Sequence, residues 1–271
     1  MKTLLVIASL IGFSVYPSQV DAARQQQTVP TGTCDSLLNY GEPTVPGKIQ
    51  KICHDAYVSF VDINLKIPRL VIYHETGDQT FGCLPRKASF HADNQVPPEG
   101  RAIPADYANS GYDLGHFAPD QDMAYDPGRL ADSYSTANVG PQKPKMNREG
   151  WESLEESVRS WAYQRGEVVV EVGSIVDQNP ETIGHGIAVM KANFKIVIDV
   201  KTNETIGFIM NNVDTPKGDP TKFITTIAKI EEQSGITLPI PPGTDKNKTV
   251  ALWHTSTSDW HKRHKELCKG K

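Results

Sequence analysis

Three short segments decide the reading of this chain: Asp113-Leu114-Gly115-His116-Phe117-Ala118-Pro119, then Asn138-Val139-Gly140-Pro141-Gln142, then Asn147-Arg148-Glu149-Gly150-Trp151-Glu152-Ser153-Leu154-Glu155. The last segment opens a helix, expected from near Asn147 to just before Gly166, a suitable C-terminal cap. Trp151, Leu154, Val158 and Trp161 recur at helical spacing and mark its buried face. Asn147, Trp151 and Glu155 stand four apart, so they share one face with slow drift. An amide oxygen in the first turn and a carboxylate two turns on are hard donors. They suit Mg²⁺, which keeps most of its waters and takes few protein ligands. His116 follows a glycine in a polar loop, and an imidazole with an ordinary pKa of about 6.5 can take a proton from water near neutrality. Each residue alone has a plainer reading: a structural His, an Asn that caps a helix, a solvated Glu. Their combination and order carry the chemistry.

Outward from this centre, Tyr57–Asp62 and Arg69–His74 read as two strands joined by a turn. Residues 76–112 hold scattered Gly and Pro without a period and read as long loop, a kind of segment that is usually functional inside a domain. Glu167–Val172, Ile187–Val200 and Thr205–Met210 read as strands, and Thr221–Gln233 as a second helix with Gly235 past its end. The expected fold class is α+β: a central, mostly antiparallel sheet flanked by helices and long loops.

Lys2, the apolar run Leu4–Tyr16 and small residues around Val20-Asp21-Ala22 form an export signal with its cut after Ala22. The run is shorter than the roughly 20 residues that span a bilayer. The expected organisation is a signal peptide over 1–22, an extended polar arm over 23–50 and one domain over 51–271. Cys34, Cys53, Cys83 and Cys268 are an even number in an exported chain and imply two disulfides. Three pairings are open; Cys34–Cys53 with Cys83–Cys268 is the favoured one. No CxxC pair is present, which excludes the common zinc and redox motifs.

Of the 271 residues, 22% are charged and 38% hydrophobic, as in ordinary globular proteins, and the formal net charge is −4. A negative sum disfavours phosphate binding, so the distribution of charge matters: Lys143, Lys145 and Arg148 lie close together, and the tail carries Lys262, Arg263, Lys265, Lys269 and Lys271. The tail reads as a solvated helix end. His254, His261 and His264 match no common zinc spacing. Asp120, Asp122 and Asp126 lack the Gly and Glu of a calcium loop.

Taken together, the three segments resemble the DNA/RNA non-specific endonucleases, whose signature is Asp-Arg-Gly-His, an Asn-rich stretch and an Asn-x-x-x-Trp-x-x-x-Glu helix. The chain keeps Asp113, Gly115, His116, Ala118, Pro119, Asn138, Pro141, Gln142, Asn147, Trp151, Leu154 and Glu155. The likeness extends over about residues 50–240, through Ile67-Pro68-Arg69, Tyr73-His74 and Ile230-Glu231-Glu232. It implies a ββα-metal motif and a secreted nuclease that cuts DNA and RNA with little regard for sequence, leaving 5′-phosphates. It implies His116 as general base and Asn147 as the direct ligand of one Mg²⁺, for which Mn²⁺ can substitute. It further implies Glu155 orienting a metal-bound water, Arg86 on the phosphate and Asn138 ordering the site. One position departs: Leu114 stands where the family has arginine, and Arg148 or Lys145 are the candidates to replace that cation. The alternative reading is a nucleic-acid-binding protein that kept the fold with little turnover.

Overall fold

The computed structural model describes residues 34–86 and 89–270. The expected signal peptide lies outside the described residues, as does the first part of the arm. The strands are β1 (Ile49–Cys53), β2 (Tyr57–Asp62), β3 (Ile67–Thr76), β4 (Asp113–His116), β5 (Val139–Gln142), β6 (Glu167–Ile175), β7 (Thr182–Ile183), β8 (Ile187–Ala188), β9 (Ala192–Asp199), β10 (Thr205–Asn211) and β11 (Ile224–Thr225). The helices are α1 (Pro127–Ser133), α2 (Glu152–Arg165), α3 (Ile227–Ser234) and α4 (Thr257–Leu267).

Seven strands form the central sheet in the order β1-β2-β3-β6-β9-β10-β11, and every neighbouring pair is antiparallel. Because alternate side chains point to opposite faces, the long strands feed two cores. Tyr73, Val168, Val170, Val197 and Phe208 pack with Trp151, Leu154, Val158 and Trp161 of the helix on one face. Leu70, Ile72, Val169, Ile196 and Ile198 pack with Ile227 and Ile230 of α3 on the other. The fold class is α+β, as the sequence predicts. A separate two-stranded ribbon, β4 against β5, precedes α2 and completes a β-β-α unit.

Several local expectations change. Residues 34–48 of the expected arm are packed: Cys34 and Leu37 are buried in the α3-side core, and Thr44 bridges to Thr237. Ile187–Val200 is not one strand, since 189–191 interrupt it between β8 and β9. Only the second half of Thr221–Gln233 is α-helical. Pro220–Phe223 is a 3₁₀ turn and β11 follows, because Thr226 caps α3 through Lys229 N. Gly235 ends α3 in the left-handed conformation, at φ 72°. Disulfides join Cys34–Cys53 and Cys83–Cys268, with Cα separations of 5.5 and 5.3 Å. The second ties α4 to the loop that carries Arg86. No helix among the described residues is long and apolar enough to cross a membrane.

Candidate active site

The β4–β5 ribbon places the chemistry. Asp113 pairs with Gln142 and His116 with Val139, so the two residues stand at opposite ends of β4. A Cβ on Gly115 would overlap the buried Gln142 side chain, which is why glycine stands between Leu114 and His116. Past His116 the chain turns away and is clamped. Phe117 N donates to Asn138 O at 2.9 Å. The buried Asn138 side chain accepts from Ala118 N at 2.9 Å and donates to Ala118 O and Ser133 O, each at 2.8 Å. Asn138 therefore fixes the backbone on the C-terminal side of His116 to the end of α1.

His116 is half-buried, edge-on to Tyr134 and tilted against Phe90, with ring centroids 5.4 and 5.2 Å away. Its Nε2 is buried and has no partner among the described residues. Such an orphan costs free energy unless something outside the chain satisfies it. Burial lowers the pKa of His116; Asp120 opposes that shift and Arg86 adds to it. The shift disfavours the imidazolium and favours the form that can accept a proton. Burial of Asp120 works against its ionisation, but His116, Arg86 and the Tyr134 hydroxyl outweigh it and hold its carboxyl low. Arg86 Nη1 reaches Asp120 Oδ1 at 3.0 Å, and Tyr134 Oη donates to Asp120 Oδ2 at 2.7 Å. The exposed Arg86 guanidinium keeps donors free for an anion.

At the other end of β4, Asp113 organises Asn147 and Arg148. Asn147 Nδ2 donates to Asp113 Oδ2 at 3.0 Å, and Arg148 grips both Asp113 oxygens at 2.8 and 2.6 Å. No described residue donates to Asn147 Oδ1, so that oxygen is presented outward. Asn147 lies in a π-helical turn, Met146–Trp151, that leads into α2. Such turns insert a residue and are frequent at functional sites. Gly150 allows this one: a Cβ there would press on Thr215, whose carbonyl Gly150 N reaches at 3.2 Å.

Glu155 points toward the sheet. Its Oε1 lies 3.9 Å from Lys195 Nζ, and that ammonium sits 4.7 Å from the Trp151 ring centroid. Lys195 is fully buried in the middle of β9, and Arg159 pairs with buried Asp122 at 2.9 Å. Burial raises the pKa of Glu155 to about 7, while Lys195 and Arg159 pull it down. Glu75 is pushed well up, by burial first and Asp122 second. Burial also lowers the pKa of Lys195, which Glu155 and Asp122 oppose. No hydrogen bond or ion pair joins Glu155 to Asn147.

The donor set was tested against a hard divalent ion. Among the described residues no three His, Cys, Asp or Glu side chains are gathered as a metal cage. What is present is one outward amide oxygen, one carboxylate and, on the same ribbon, the unpartnered His116 Nε2. A site with one direct protein ligand and a shell mostly of water suits Mg²⁺ better than Zn²⁺ or Ca²⁺. Of the residues singled out in the sequence, His116, Asn138 and Arg86 converge around Asp120 and Tyr134. Asn147 is tied to the same ribbon through Asp113, and Glu155 lies beneath, within electrostatic reach of Asp120. Tyr134, Arg159 and Lys195 escaped the sequence reading, and Asp120 and Asp122 were weighed there only as part of a calcium loop. Lys195 left a signal, a lone charge inside the apolar run Phe194–Val197. So did Arg159, four residues past Glu155 on the same helical face.

Known proteins resemble this arrangement in sequence and in fold. Residues 37–245 match the family model described as DNA/RNA non-specific endonuclease. Human endonuclease G, a mitochondrial protein, is 27% identical over 216 residues, covering 74% of this chain and 72% of its own. Human nuclease EXOG, also mitochondrial, is 25% identical, covering 66% of this chain and 48% of its own length. Nuclease C1 of Cunninghamella echinulata var. echinulata is 26% identical, covering 75% of this chain and 87% of its own. A crystal structure of endonuclease G with the inhibitor EndoGI superposes with a TM-score of 0.71 at 22% identity, covering 79% of this chain and 94% of that one. The chain belongs to the DNA/RNA non-specific endonuclease family and is a nuclease that hydrolyses phosphodiester bonds.

Proposed function

We propose that this protein is an exported, Mg²⁺-dependent endonuclease that cuts DNA and RNA without strong sequence preference, with His116 as its general base. The observation that carries the reading is the half-buried His116, whose pKa burial lowers, set beside the Arg86–Asp120 pair. It lies on the same short ribbon as Asp113, which holds Asn147. His116 takes the proton of the attacking water. Asn138 holds the backbone beside it and so fixes the ring's position. Arg86, anchored by Asp120, offers donors to a non-bridging phosphate oxygen, where charge grows in the transition state. Asn147 Oδ1 is the direct ligand, fixed in rotamer by Asp113, and Glu155 takes a water of the ion's shell. A divalent ion at Asn147 supplies Lewis acidity to a phosphate oxygen and offsets charge at the leaving oxygen, and Mn²⁺ can stand in for Mg²⁺. Nothing in this set reads a base edge, which accords with weak sequence preference. Export is supported by the pattern of residues 1–22 and by the pairing of all four cysteines.

A plasmid-nicking assay tests the proposal. Supercoiled DNA and a structured RNA are both cut with Mg²⁺, neither with EDTA, and cutting returns when Mg²⁺ is restored in excess. Cutting that persists in EDTA contradicts the metal assignment; no cutting of either polymer contradicts the function.

A further inference from the structure

A basic groove opens at the end of the β4–β5 ribbon farthest from His116. It encloses about 640 Å³ and is lined by Gly111, Lys143, Pro144, Lys145, Val213 and Asp214. The ribbon's register fixes its place. Asp113 pairs with Gln142 and His116 with Val139, so the chain continues from the open end into Tyr112 on one side and Lys143 on the other. Three strand steps separate Asp113 from His116, about 10 Å along the ribbon.

The groove wall is built onto the site. Lys143 N donates to Asn212 Oδ1 at 2.8 Å, and Lys143 O accepts from Asn147 N at 2.9 Å. Lys143 Nζ lies 4.0 Å from the Tyr112 ring centroid. Arg148 sits between groove and site; Asp113 holds its guanidinium, yet the side chain stays 69% exposed. Among the described residues neither Lys143 nor Lys145 has a carboxylate partner, a state they share with Lys66, Lys201 and Lys248 but not with Lys48, Lys51, Lys191, Lys217, Lys229 and Lys246. The nearby acids are largely committed. Asp113 is held by Arg148, Glu149 accepts from Lys217 N, and Glu181 accepts from Tyr112 Oη. Asp214 alone lines the groove as an acid. In a chain of net charge −4, two unpaired ammonium groups fixed beside Asn147 mark a place for anions.

We propose that this groove is a phosphate track: Lys143 and Lys145, continuing the line of Arg148, hold the sugar–phosphate backbone of the substrate strand on the Asn147 side of the scissile bond. The inference rests on the nuclease reading above and adds the side on which the enzyme grips a polymer. Lysines suit the role because they bind phosphate as point charges and read no sequence.

The test compares Lys143→Glu/Lys145→Glu with an equal charge change elsewhere, Lys201→Glu/Lys248→Glu. Lys201 lies beyond Asp199, which Arg165 binds at the far end of α2, roughly 20 Å of helix from the site. Steady-state cleavage of a long single-stranded oligonucleotide is followed across a salt series, with thermal midpoints to check folding. The groove variant should raise KM about tenfold or more and flatten the dependence of log(kcat/KM) on log salt by about 0.7 per lysine. The milder Lys143→Gln/Lys145→Gln should fall between it and wild type, and the control should match wild type. A groove variant that folds and matches the control in KM and salt slope overturns the track alone. A wild-type protein that cleaves no polymer overturns the nuclease reading beneath it.

Discussion

On the sheet face that packs α3, β3, β6 and β9 turn inward Leu70, Ile72, Val169, Phe194, Ile196 and Ile198. On the face that packs α2, the same strands present Tyr73, Glu75 and Lys195 beside their valines, and the helix answers with Glu155 and Arg159. The α3 face has polar exceptions, Arg69 and Glu171. Arg69 donates to Ser234 O at 2.8 Å, and Glu171 is pushed well up in pKa, by burial first and Glu231 next. The α2 face carries far more. It holds a buried Asp122–Arg159 pair, a buried ammonium with no hydrogen-bond partner, and the unpartnered His116 Nε2. Buried ion pairs rarely out-stabilise apolar residues of the same volume. The difference between the faces therefore separates what holds the fold from what serves the site.

A large departure is expected at Asn147. Asn147→Ala removes the one direct ligand proposed for Mg²⁺, and cleavage at low millimolar Mg²⁺ should fall about a hundredfold. More Mg²⁺ should recover part of it, and the thermal midpoint should change little because Asn147 is half-buried and bonds only one side chain. A Mg²⁺ titration of rate decides this. A curve superposing on wild type would remove the chemistry from this end of β4.

A second prediction asks whether polar groups near the site also hold structure. His54 lies between Asp93, at 2.8 Å, and Asp132 of α1, at 3.4 Å, and Ser135 also donates to Asp93. Burial works to lower its pKa, but the hydrogen bonds of Asp132 and Asp93 outweigh it and raise the value to about 9. A His raised above its unfolded value near 6.5 stabilises the fold fully below that pH and loses this contribution as pH rises through about 9. The amount is on the order of 3 kcal/mol. Wild type should thus lose stability relative to His54→Gln between pH 7 and 9.5 in thermal melts. A difference that stays constant with pH would contradict the charged state.

The smallest effect is expected at Leu114. Leu114 is half-buried, packs on the α2-side core and pairs with Pro141. Arg148 already places a guanidinium on the neighbouring Asp113. Leu114→Arg should therefore change kcat by a few-fold at most, about 1 kcal/mol or less in barrier. A gain of tenfold or more would mean that Arg148 does not fill the place of the family's arginine.

Most strands were legible because their apolar residues are continuous or alternate: Tyr57–Asp62 is observed as expected, and the expected β3, β6 and β10 extend by a few residues. β1 was missed because an edge strand reading Ile-Gln-Lys-Ile-Cys buries little. α1 was missed because its start, Asp126 capping a Pro127 turn, reads equally as loop. His116, Asn138 and Asn147 were singled out by their order along the chain. Asp120, Lys195 and Arg159 were not, because a charge in a sequence reads as solvated until the structure shows it buried. The tertiary fold sets that burial: Lys195 is interior where Trp151 and Glu155 lie against it.

The measurement that tests the division of the faces most directly is a paired one: single-turnover cleavage with saturating Mg²⁺, and thermal stability, for His116→Ala and Ile196→Ala. His116→Ala should lose about 10²–10⁴-fold in rate with its stability close to wild type. Ile196→Ala, wholly buried on the α3 face, should lose about 2–5 kcal/mol of stability with the rate per folded molecule unchanged. A His116→Ala variant within tenfold of wild type, or an Ile196→Ala variant whose folded molecules cleave as poorly as His116→Ala, would contradict the account.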